Sequence, residues 1–224
     1  MSQDTRRDVQ ASQQLREEIL YYCRESVRTG LNFNTQGNIS VRLPGAHDGE
    51  DAIVITPSDV RYDAMSPDDM VVVAMDGTVL SGTLLPSTEL PVHLAHYRRR
   101  PDAQAIVHTE STFVNVLGVL GQRIDPVLLN MVLYAKGPVP VMPFEFSTNG
   151  DFGVRSAETM GDDVNAVVWA NHGLLALGVS LKLAFKVAVA VEENAEVLFH
   201  AQRAGVPNVL VYDQIEIPEG ARLP

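Results

Sequence analysis

The chain has 224 residues, 46% of them hydrophobic, which is enough to bury one core, so we expect a single domain over residues 1–224. Seventeen basic against 28 acidic residues give a formal net charge of −11, which argues against nonspecific nucleic-acid binding. No run approaches about 18 consecutive apolar residues, and Met1–Arg7 lacks the apolar segment of a secretory signal, so we expect neither a membrane span nor export. The single cysteine, Cys23, excludes an internal disulfide and favours a reducing cytoplasm.

The first third of the chain predicts one helix followed by short strands. Apolar residues at helical spacing predict a helix over 8–28, which ends before Gly30. Short apolar runs then predict strands over 37–42, 52–55, 70–75 and 78–80. Asp76-Gly77 joins the last two strands and is a strong signal for a two-residue hairpin.

Helices and strands alternate in the rest of the chain. The pattern predicts helices over 88–99, 111–120, 151–160 and 180–202, and strands over 104–108, 138–142, 165–169 and 174–177. Prolines in 138–142 indicate an edge strand, because proline cannot donate to a ladder. A sheet enclosed by helices is an α/β layered domain, and the early strand-turn-strand pieces favour a mixed or antiparallel sheet.

Three polar side chains follow apolar runs that are typical of buried strands. His108 and Glu110 come after Ala105-Ile106-Val107, and His172 comes after Ala166–Trp169. Ligands gather just beyond such strand ends in open sheets covered by helices. Residues two apart on a strand point to the same side, so His108 and Glu110 can share one ion if the strand extends that far. Two imidazoles and a carboxylate suit Zn, Mn or Fe(II), although each histidine by itself is also typical of ordinary core or turn packing.

The segment Pro86-Ser87-Thr88-Glu89 stands at a predicted helix start. Its hydroxyls and backbone N–H groups can hold a phosphate or carboxylate, but a simple helix cap explains the same pattern. Glu89 is either a partner of the helix dipole or a general base beside a metal. Polar turns at 37–40 and 56–59 can likewise supply anion donors or be purely structural.

Two further histidines follow Glu89 on the same predicted helix. His93 and His96 lie four and seven residues after it, so one helical face can carry all three side chains. The pair lacks the His-Glu-x-x-His arrangement, and ordinary packing is the favoured interpretation.

Six motifs occur in a fixed order along the chain. They are Gly37-Asn38-Ile39-Ser40-Val41-Arg42, Thr56-Pro57-Ser58, Leu85-Pro86-Ser87-Thr88-Glu89, Arg100-Pro101-Asp102-Ala103, Ile106-Val107-His108 and Asn171-His172-Gly173. Together they resemble the class II aldolase/adducin family over roughly residues 10–205. The resemblance implies an α/β fold, a three-layer αβα domain with a central mixed, mostly antiparallel sheet. It also implies a homotetramer with active sites between subunits.

The same resemblance implies a cofactor, a substrate class and a set of roles. The cofactor is a divalent metal ion, most often zinc, with manganese or iron as alternatives, and the partner is a small-molecule substrate. By motif position, His108 and His172 are the implied metal ligands and Glu89 is the implied acid/base. Asn38, Ser58, Ser87 and Thr88 are the implied contacts to a phosphate or other anion.

This chain departs from the family pattern at several positions. Glu110 stands where family aldolases usually have the second histidine of His-x-His, and Asp59 stands where the sugar-phosphate enzymes usually have glycine. Asn130 occupies the position of a catalytic tyrosine, for which Tyr134, one helical turn later, can substitute. The family's tyrosine-bearing C-terminal tail has no clear match from Val211-Tyr212-Asp213 onwards.

The sequence favours a metal-dependent carbon–carbon lyase that cleaves a small hydroxy-carbonyl substrate through a metal-stabilised enediolate, with a sugar phosphate as the favoured substrate. Three alternatives stay open at this point. A decarboxylase of a hydroxylated aromatic or sugar acid would use the same ion to stabilise an enolate. A non-haem Fe(II) oxygenase would use the two histidines and the carboxylate. A non-catalytic, adducin-like assembly module would explain the substituted positions.

Overall fold

The computed structural model describes residues 3–47, 49–211 and 214–215, and for residues 3–12 it describes the course of the backbone only. Helices in these ranges are α1 (Gln3–Arg28), α2 (Leu90–Arg99), α3 (Thr112–Val119), α4 (Leu129–Ala135), α5 (Phe152–Met160) and α6 (Leu181–Ala204). A short 3-10 turn spans Pro67–Asp69. Within the described part of the chain, every helix is too short or too polar to cross a bilayer.

The strands form one sheet. They are β1 (Asn38–His47), β2 (Glu50–Ile55), β3 (Val71–Ala74), β4 (Val79–Ser81), β5 (Ala105–Thr109), β6 (Val141–Met142), β7 (Ala166–Trp169) and β8 (Gly173–Gly178). Their spatial order is β4-β3-β2-β1-β5-β8-β7-β6. Only β6 and β7 run parallel; the other neighbouring pairs are antiparallel. The predicted mixed, mostly antiparallel sheet is therefore confirmed.

Helices cover both faces of this sheet, because successive strand residues alternate between two apolar cores. Ala105 and Val107 of β5 pack in the core that α1, α3, α4 and α6 cover, whereas Ile106 packs in the core that α2 and α5 cover. The predicted three-layer αβα architecture is confirmed by these two cores. His108 lies two residues after Ile106 and therefore points to the α2 and α5 side.

Most predicted elements are confirmed within a few residues at each end, but α4 was missed. This helix is seven residues long, none of the described side chains caps its start at Leu128, and it ends at Lys136 with a φ of 68°. A helix that has neither capping residues nor apolar residues repeating over a second turn leaves little signal in a sequence. The proline-rich strand is confirmed as an edge strand, reduced to the two residues of β6. The single-domain organisation over 1–224 stays a prediction.

Candidate metal centre and adjoining cavity

Strand pairing places the candidate residues at one end of the sheet. Asn38 at the start of β1 lies opposite His108 near the end of β5. His172 lies in the tight turn between β7 and β8, directly after Asn171, whose φ is 60°. A Cβ atom at Gly173 would lie 2.3 Å from the Thr109 carbonyl oxygen and 3.0 Å from His108 Cε1. Glycine is therefore required here for the turn to approach the end of β5.

Glu89 joins the two histidines. It precedes the first residue of α2, and its Oε2 lies 3.3 Å from His108 Nε2 while its Oε1 lies 3.1 Å from His172 Nε2. One ligand atom from each of these three residues lies within 4.8 Å of the other two. The side chains of Glu89 and His108 are 8% and 1% exposed, and that of His172 is 21% exposed, so the cluster opens on the His172 side.

The protonation of His108 shows why this cluster suits a cation. Its Nδ1 lies 2.9 Å from the Leu174 carbonyl oxygen, which can only accept, so Nδ1 carries the proton. The buried Nε2 atom then presents a lone pair toward the Glu89 carboxylate and finds no hydrogen-bond partner among the residues that the structure describes. Two acceptors that face each other repel unless a positive charge lies between them. The donor set of two imidazole nitrogens and one carboxylate therefore fits a divalent metal ion.

Burial and charge act against each other in this cluster. Burial raises the pKa of Glu89, but His108, His172 and a hydrogen bond from Asn38 together hold it well below its ordinary value. Burial lowers the pKa of His108. Burial also lowers the pKa of His172, yet the hydrogen bond and charge of Glu89 raise it by more, so the net shift is upward. Glu89 is therefore ionised at neutral pH.

Trp169 fixes the orientation of both imidazole rings. Its ring centroid lies 4.8 Å from that of His108 and 5.1 Å from that of His172. The indole Nε1 donates to Ser156 Oγ at 2.7 Å, which holds the indole against α5. The two imidazoles meet edge to face, with centroids 5.1 Å apart. A ligand set on packed rings is preorganised for one position of an ion.

A cavity of about 150 Å³ adjoins the cluster. It is lined by Thr35, Gln36, Gly37, Asn38, Pro57, Ser58, Asp59, Ser87, Thr88, Glu89 and Glu110. The four residues predicted to bind an anion thus line one cavity together with Glu89. Among the described residues no lysine or arginine lines it, so an anion there would rely on hydroxyl and amide donors.

The donors in this cavity are not all free. The backbone N–H groups of Ser58 and Ser87 donate to the carbonyl oxygens of Leu85 and Thr56. The side-chain Nδ2 of Asn38 donates to Glu89 Oε2 at 2.8 Å. Ser87 Oγ accepts from the Glu89 N–H at 3.3 Å, which leaves its own proton available to a ligand.

Glu110 lies outside the cluster, although its spacing from His108 predicts that the two side chains share one ion. Strand β5 ends at Thr109, so the alternation that would aim Glu110 beside His108 stops one residue too early. The backbone N–H of Glu110 donates to Asn32 Oδ1 at 2.9 Å, and its side chain lines the adjoining cavity. Among the described residues Glu89 supplies the carboxylate of the cluster, and metal binding by the predicted set His108, Glu110 and His172 stays a prediction.

Tyr134 does not reach the cluster either. Its backbone oxygen accepts from Asn165 Nδ2, just before β7 begins, whereas His172 follows the end of β7. Its hydroxyl lies 3.1 Å from Lys186 Nζ, beside a separate cavity of about 220 Å³ that Arg100 also lines. Within one chain the predicted substitution of a catalytic tyrosine by Tyr134 is therefore not supported. Tyr212 and Asp213 of the predicted tail lie outside the described residues.

Comparison with known proteins agrees with this geometry. Residues 17–199 match the family described as Class II Aldolase and Adducin N-terminal domain. A 5-deoxy-D-ribulose 1-phosphate aldolase of Bacillus thuringiensis serovar kurstaki is 34% identical over 204 residues, which cover 91% of this chain and 93% of that protein. A 5-methylthioribulose-1-phosphate/5-deoxyribulose-1-phosphate aldolase of Rhodospirillum rubrum is 34% identical over 203 residues, or 90% and 88% of the two chains. The solved structure of an L-fuculose 1-phosphate aldolase superposes with a TM-score of 0.82 and 31% identity, covering 89% of this chain and 91% of that one.

These similarities support the carbon–carbon lyase over the three alternatives. Each of the relatives just named is an aldolase, and class II aldolases depend on a divalent metal. The decarboxylase, the oxygenase and the non-catalytic module gain no specific support from them. The match over residues 17–199, together with these relatives, shows that the chain belongs to the class II aldolase/adducin family.

Proposed function

We propose that this protein cleaves a small phosphorylated ketose by a retro-aldol reaction that depends on a divalent metal ion. The observation that carries the proposal is the joint presence of the carboxylate–imidazole cluster and a hydroxyl-lined cavity, which share Glu89. The cluster suits activation of a carbonyl group, and the hydroxyls suit a phosphate. The substrate class is supported by the relatives, whose names give 1-phosphates of ketoses.

His108 and His172 would hold the ion through Nε2, and a Glu89 oxygen would be the third ligand. Bound there, a divalent ion acts as a Lewis acid that polarises the substrate carbonyl and stabilises the charge left by carbon–carbon cleavage. We propose zinc, because three nitrogen and oxygen ligands with an open fourth position are its usual catalytic set. Manganese and iron(II) are the alternatives, and a ligand role for Glu110 would require its side chain to turn toward the histidines.

Glu89 is the residue proposed to move the proton. In a retro-aldol reaction the hydroxyl that becomes the aldehyde loses its proton, and the carbon that loses the aldehyde gains one. Because Glu89 is ionised, the carboxylate oxygen that does not hold the ion can accept the hydroxyl proton and then deliver it to that carbon. One carboxylate thus balances both transfers, and in the reverse direction it removes the proton from carbon. This route does not require Tyr134.

The phosphate would lie in the adjoining cavity. The Ser87 hydroxyl is free to donate, Thr88 is exposed, and Ser58 is half-buried, so three hydroxyls are available from two turns. Asp59 and Glu110 add negative charge to the same lining. We therefore propose that this enzyme binds phosphate less tightly than a site with a cationic lining would.

Several finer expectations remain proposals of the same kind. A homotetramer with active sites between subunits would bring side chains from a neighbouring copy to the cluster. A cytoplasmic location agrees with the single cysteine. Decarboxylation is the close chemical variant, since the same ion would stabilise the enolate left by departing CO₂.

The test is a cleavage assay on protein purified without chelators, with its metal content measured. A 2-ketose 1-phosphate that breaks between carbons 3 and 4 releases dihydroxyacetone phosphate, which an NADH-coupled dehydrogenase detects. Fuculose 1-phosphate, 5-deoxyribulose 1-phosphate and 5-methylthioribulose 1-phosphate form the substrate panel. Glu89→Gln is the matched variant, because it keeps the shape and removes the proton acceptor.

We expect about one metal ion per chain, cleavage of at least one panel member, and loss of cleavage in Glu89→Gln. Fully loaded protein that cleaves none of them contradicts the substrate class. Release of CO₂ from a hydroxy acid would indicate the decarboxylase instead, and oxygen consumption would indicate the oxygenase.

A further inference from the structure

A chain of buried side chains leads away from Glu89 into the sheet–helix interface. Asn38 Nδ2 lies 2.8 Å from Glu89 Oε2, and Asn38 Oδ1 lies 2.5 Å from His93 Nε2. His93 Nδ1 lies 2.6 Å from Ser40 Oγ, which in turn lies 2.9 Å from the Tyr97 hydroxyl. None of these five residues is more than 6% exposed.

The donor and the acceptor in each hydrogen bond from Glu89 to Ser40 follow from the charge of the Glu89 carboxylate at one end of this series. The ionised Glu89 carboxylate can only accept, so the Asn38 amide donates to it and turns its oxygen toward His93. His93 therefore carries its proton on Nε2 and accepts from Ser40 Oγ at Nδ1. With its proton used there, Ser40 Oγ can only accept. The single proton of the Tyr97 hydroxyl is shared between Ser40 Oγ and the Ser40 carbonyl oxygen, to which the hydroxyl donates at 3.0 Å.

The neutral state of His93 is consistent with this order. Burial lowers the pKa of His93 to about 3, since it outweighs the attraction of Glu89. A neutral imidazole has one proton, which fits one donor and one acceptor. The neighbouring His96 is equally buried, but it contacts Ser156 and not this chain.

Strand β1, and helix α2 with the residue before it, supply these five hydrogen-bonded residues at regular spacings. Asn38 and Ser40 are two residues apart on β1 and point to the same face, whereas Glu89, His93 and Tyr97 succeed each other at four-residue steps at the start of and along α2. Burying so many polar groups between β1 and α2 is costly unless all are paired. All of them are paired here, and the donors of Asn38, His93 and Ser40 point toward the carboxylate.

We propose that His93 is a positioning residue that acts on Glu89 through Asn38. Its Nε2–H holds the Asn38 amide in the one orientation that donates to Glu89 Oε2. Without that donor the Asn38 amide can rotate by about 180° and present its oxygen to the carboxylate of Glu89. The two oxygens would repel each other, and Glu89 would no longer be held beside His108. The kinetic consequence rests on the proposed function, but the hydrogen-bond order does not.

The first experiment is nitrogen-15 NMR of histidine-labelled, metal-free protein. We expect His93 to show a protonated Nε2 and an unprotonated Nδ1, unchanged between pH 6 and pH 8. We expect His108 to show the opposite tautomer, which provides an internal control. A protonated Nδ1 or a cationic ring at His93 would overturn the proposal whether or not the protein has aldolase activity.

The second experiment compares His93→Gln with His93→Asn. The Gln amide reaches the position of Nε2 and can still donate to Asn38, whereas the shorter Asn amide reaches only the position of Nδ1. Since a hydrogen bond to a charged group is at stake, we expect kcat to fall about tenfold or more in His93→Asn and less than about threefold in His93→Gln, with KM changed by less than about twofold. Equal losses in the two variants would indicate a purely structural role.

A double-mutant cycle completes the test. If His93 acts through Asn38, then His93→Asn should lower kcat no further in an Asn38→Ala background, and multiplied losses would contradict the proposal. Should the wild-type protein cleave no ketose phosphate, the proposed function fails while the positioning proposal is still decided. In that case the wild-type protein and the same variants are compared by their dissociation constants for Zn²⁺. If Zn²⁺ does not bind, the tautomer of His93 found by NMR decides the positioning proposal.

Discussion

The two ends of strand β5 hold polar clusters of opposite character. At its C-terminal end, the buried Nε2 of His108 faces the carboxylate of Glu89 and has no hydrogen-bond partner within the described part of the chain. Before its N-terminal end, Arg100 makes two hydrogen bonds to Asp102, one to Asn165 and one to a backbone carbonyl. Fully matched polar groups stabilise a fold, whereas opposed lone pairs cost stability and are retained where function uses them.

Backbone strain follows the same division. The described part of the chain has four non-glycine residues with a positive φ, of which Asn34, Asp59 and Asn171 lie in or beside the segments that form the cluster and its cavity. The fourth, Lys136, ends α4 beside the Arg100 cavity. Strained conformations persist only where the surrounding structure fixes them, and they concentrate at binding and catalytic sites. The two ends of the sheet should therefore respond differently to substitution.

His172→Ala should produce the largest effect, at the cluster end. His172 lies in a turn and is partly exposed, so its removal should leave the fold intact while the ion loses one of its three ligands. We expect stoichiometric metal to be lost and kcat/KM to fall by about a thousandfold, because a Lewis acid supplies several kcal/mol. Elemental analysis and circular dichroism check this. Full metal content in folded His172→Ala would show that the ion lies elsewhere.

Arg100→Met should have the reverse signature, a loss of stability without a loss of metal. The variant leaves the Val164 carbonyl and Asn165 Oδ1 without their donor and removes the partner of Asp102. We expect the free energy of unfolding to fall by about 2 kcal/mol, with kcat unchanged per folded molecule. Chemical denaturation and the cleavage assay measure the two quantities. Loss of metal from folded Arg100→Met would mean that the two ends are coupled.

Asp59→Asn should improve phosphate binding at the cluster end. Asp59 is exposed, lines the cavity and has a φ of 54°, a conformation that asparagine tolerates as well as aspartate does. Removing one negative charge near the phosphate should lower KM for a phosphorylated ketose by about threefold, and added salt should reduce the difference. An unchanged or higher KM at low salt would mean that the phosphate does not lie beside Asp59.

The sequence predicted much of this fold and site because the decisive signals are local. Apolar runs and the Asp76-Gly77 turn predicted the strands, and the positions of His108 and His172 after such runs predicted which sheet end would hold them. Whether Glu89 or Glu110 supplies the carboxylate of the cluster depends on where β5 ends. Neither the last residue of a strand nor the register of distant strands can be read from local spacing.

The pairing that surrounds His93 was missed for a related reason. His93 lies one helical turn after Glu89, and this spacing can be read from the sequence. Ordinary packing is the interpretation that the spacing favours. The partner that gives His93 its direction is Asn38, 55 residues away on β1. Side-chain hydrogen bonds between elements depend on the tertiary arrangement, so a buried histidine has the same appearance in a sequence whether it packs or positions another group.

Tyr134→Phe should have the smallest effect of these substitutions. It tests whether the end of the sheet beside Arg100 is independent of the metal cluster at the other end. The hydroxyl hydrogen-bonds to Lys186 Nζ, whose ammonium also lies 5.1 Å from the centre of the Tyr134 ring, a contact that phenylalanine keeps. We expect kcat to change by less than about twofold and the unfolding free energy to fall by less than about 1 kcal/mol. Because Tyr134 lies at the other end of β7 from His172 in its own chain, a large loss of kcat would require the tyrosine of a neighbouring subunit to reach the cluster. The kcat of Tyr134→Phe therefore decides whether this end of the sheet belongs to the fold alone or also completes a site in a neighbouring subunit.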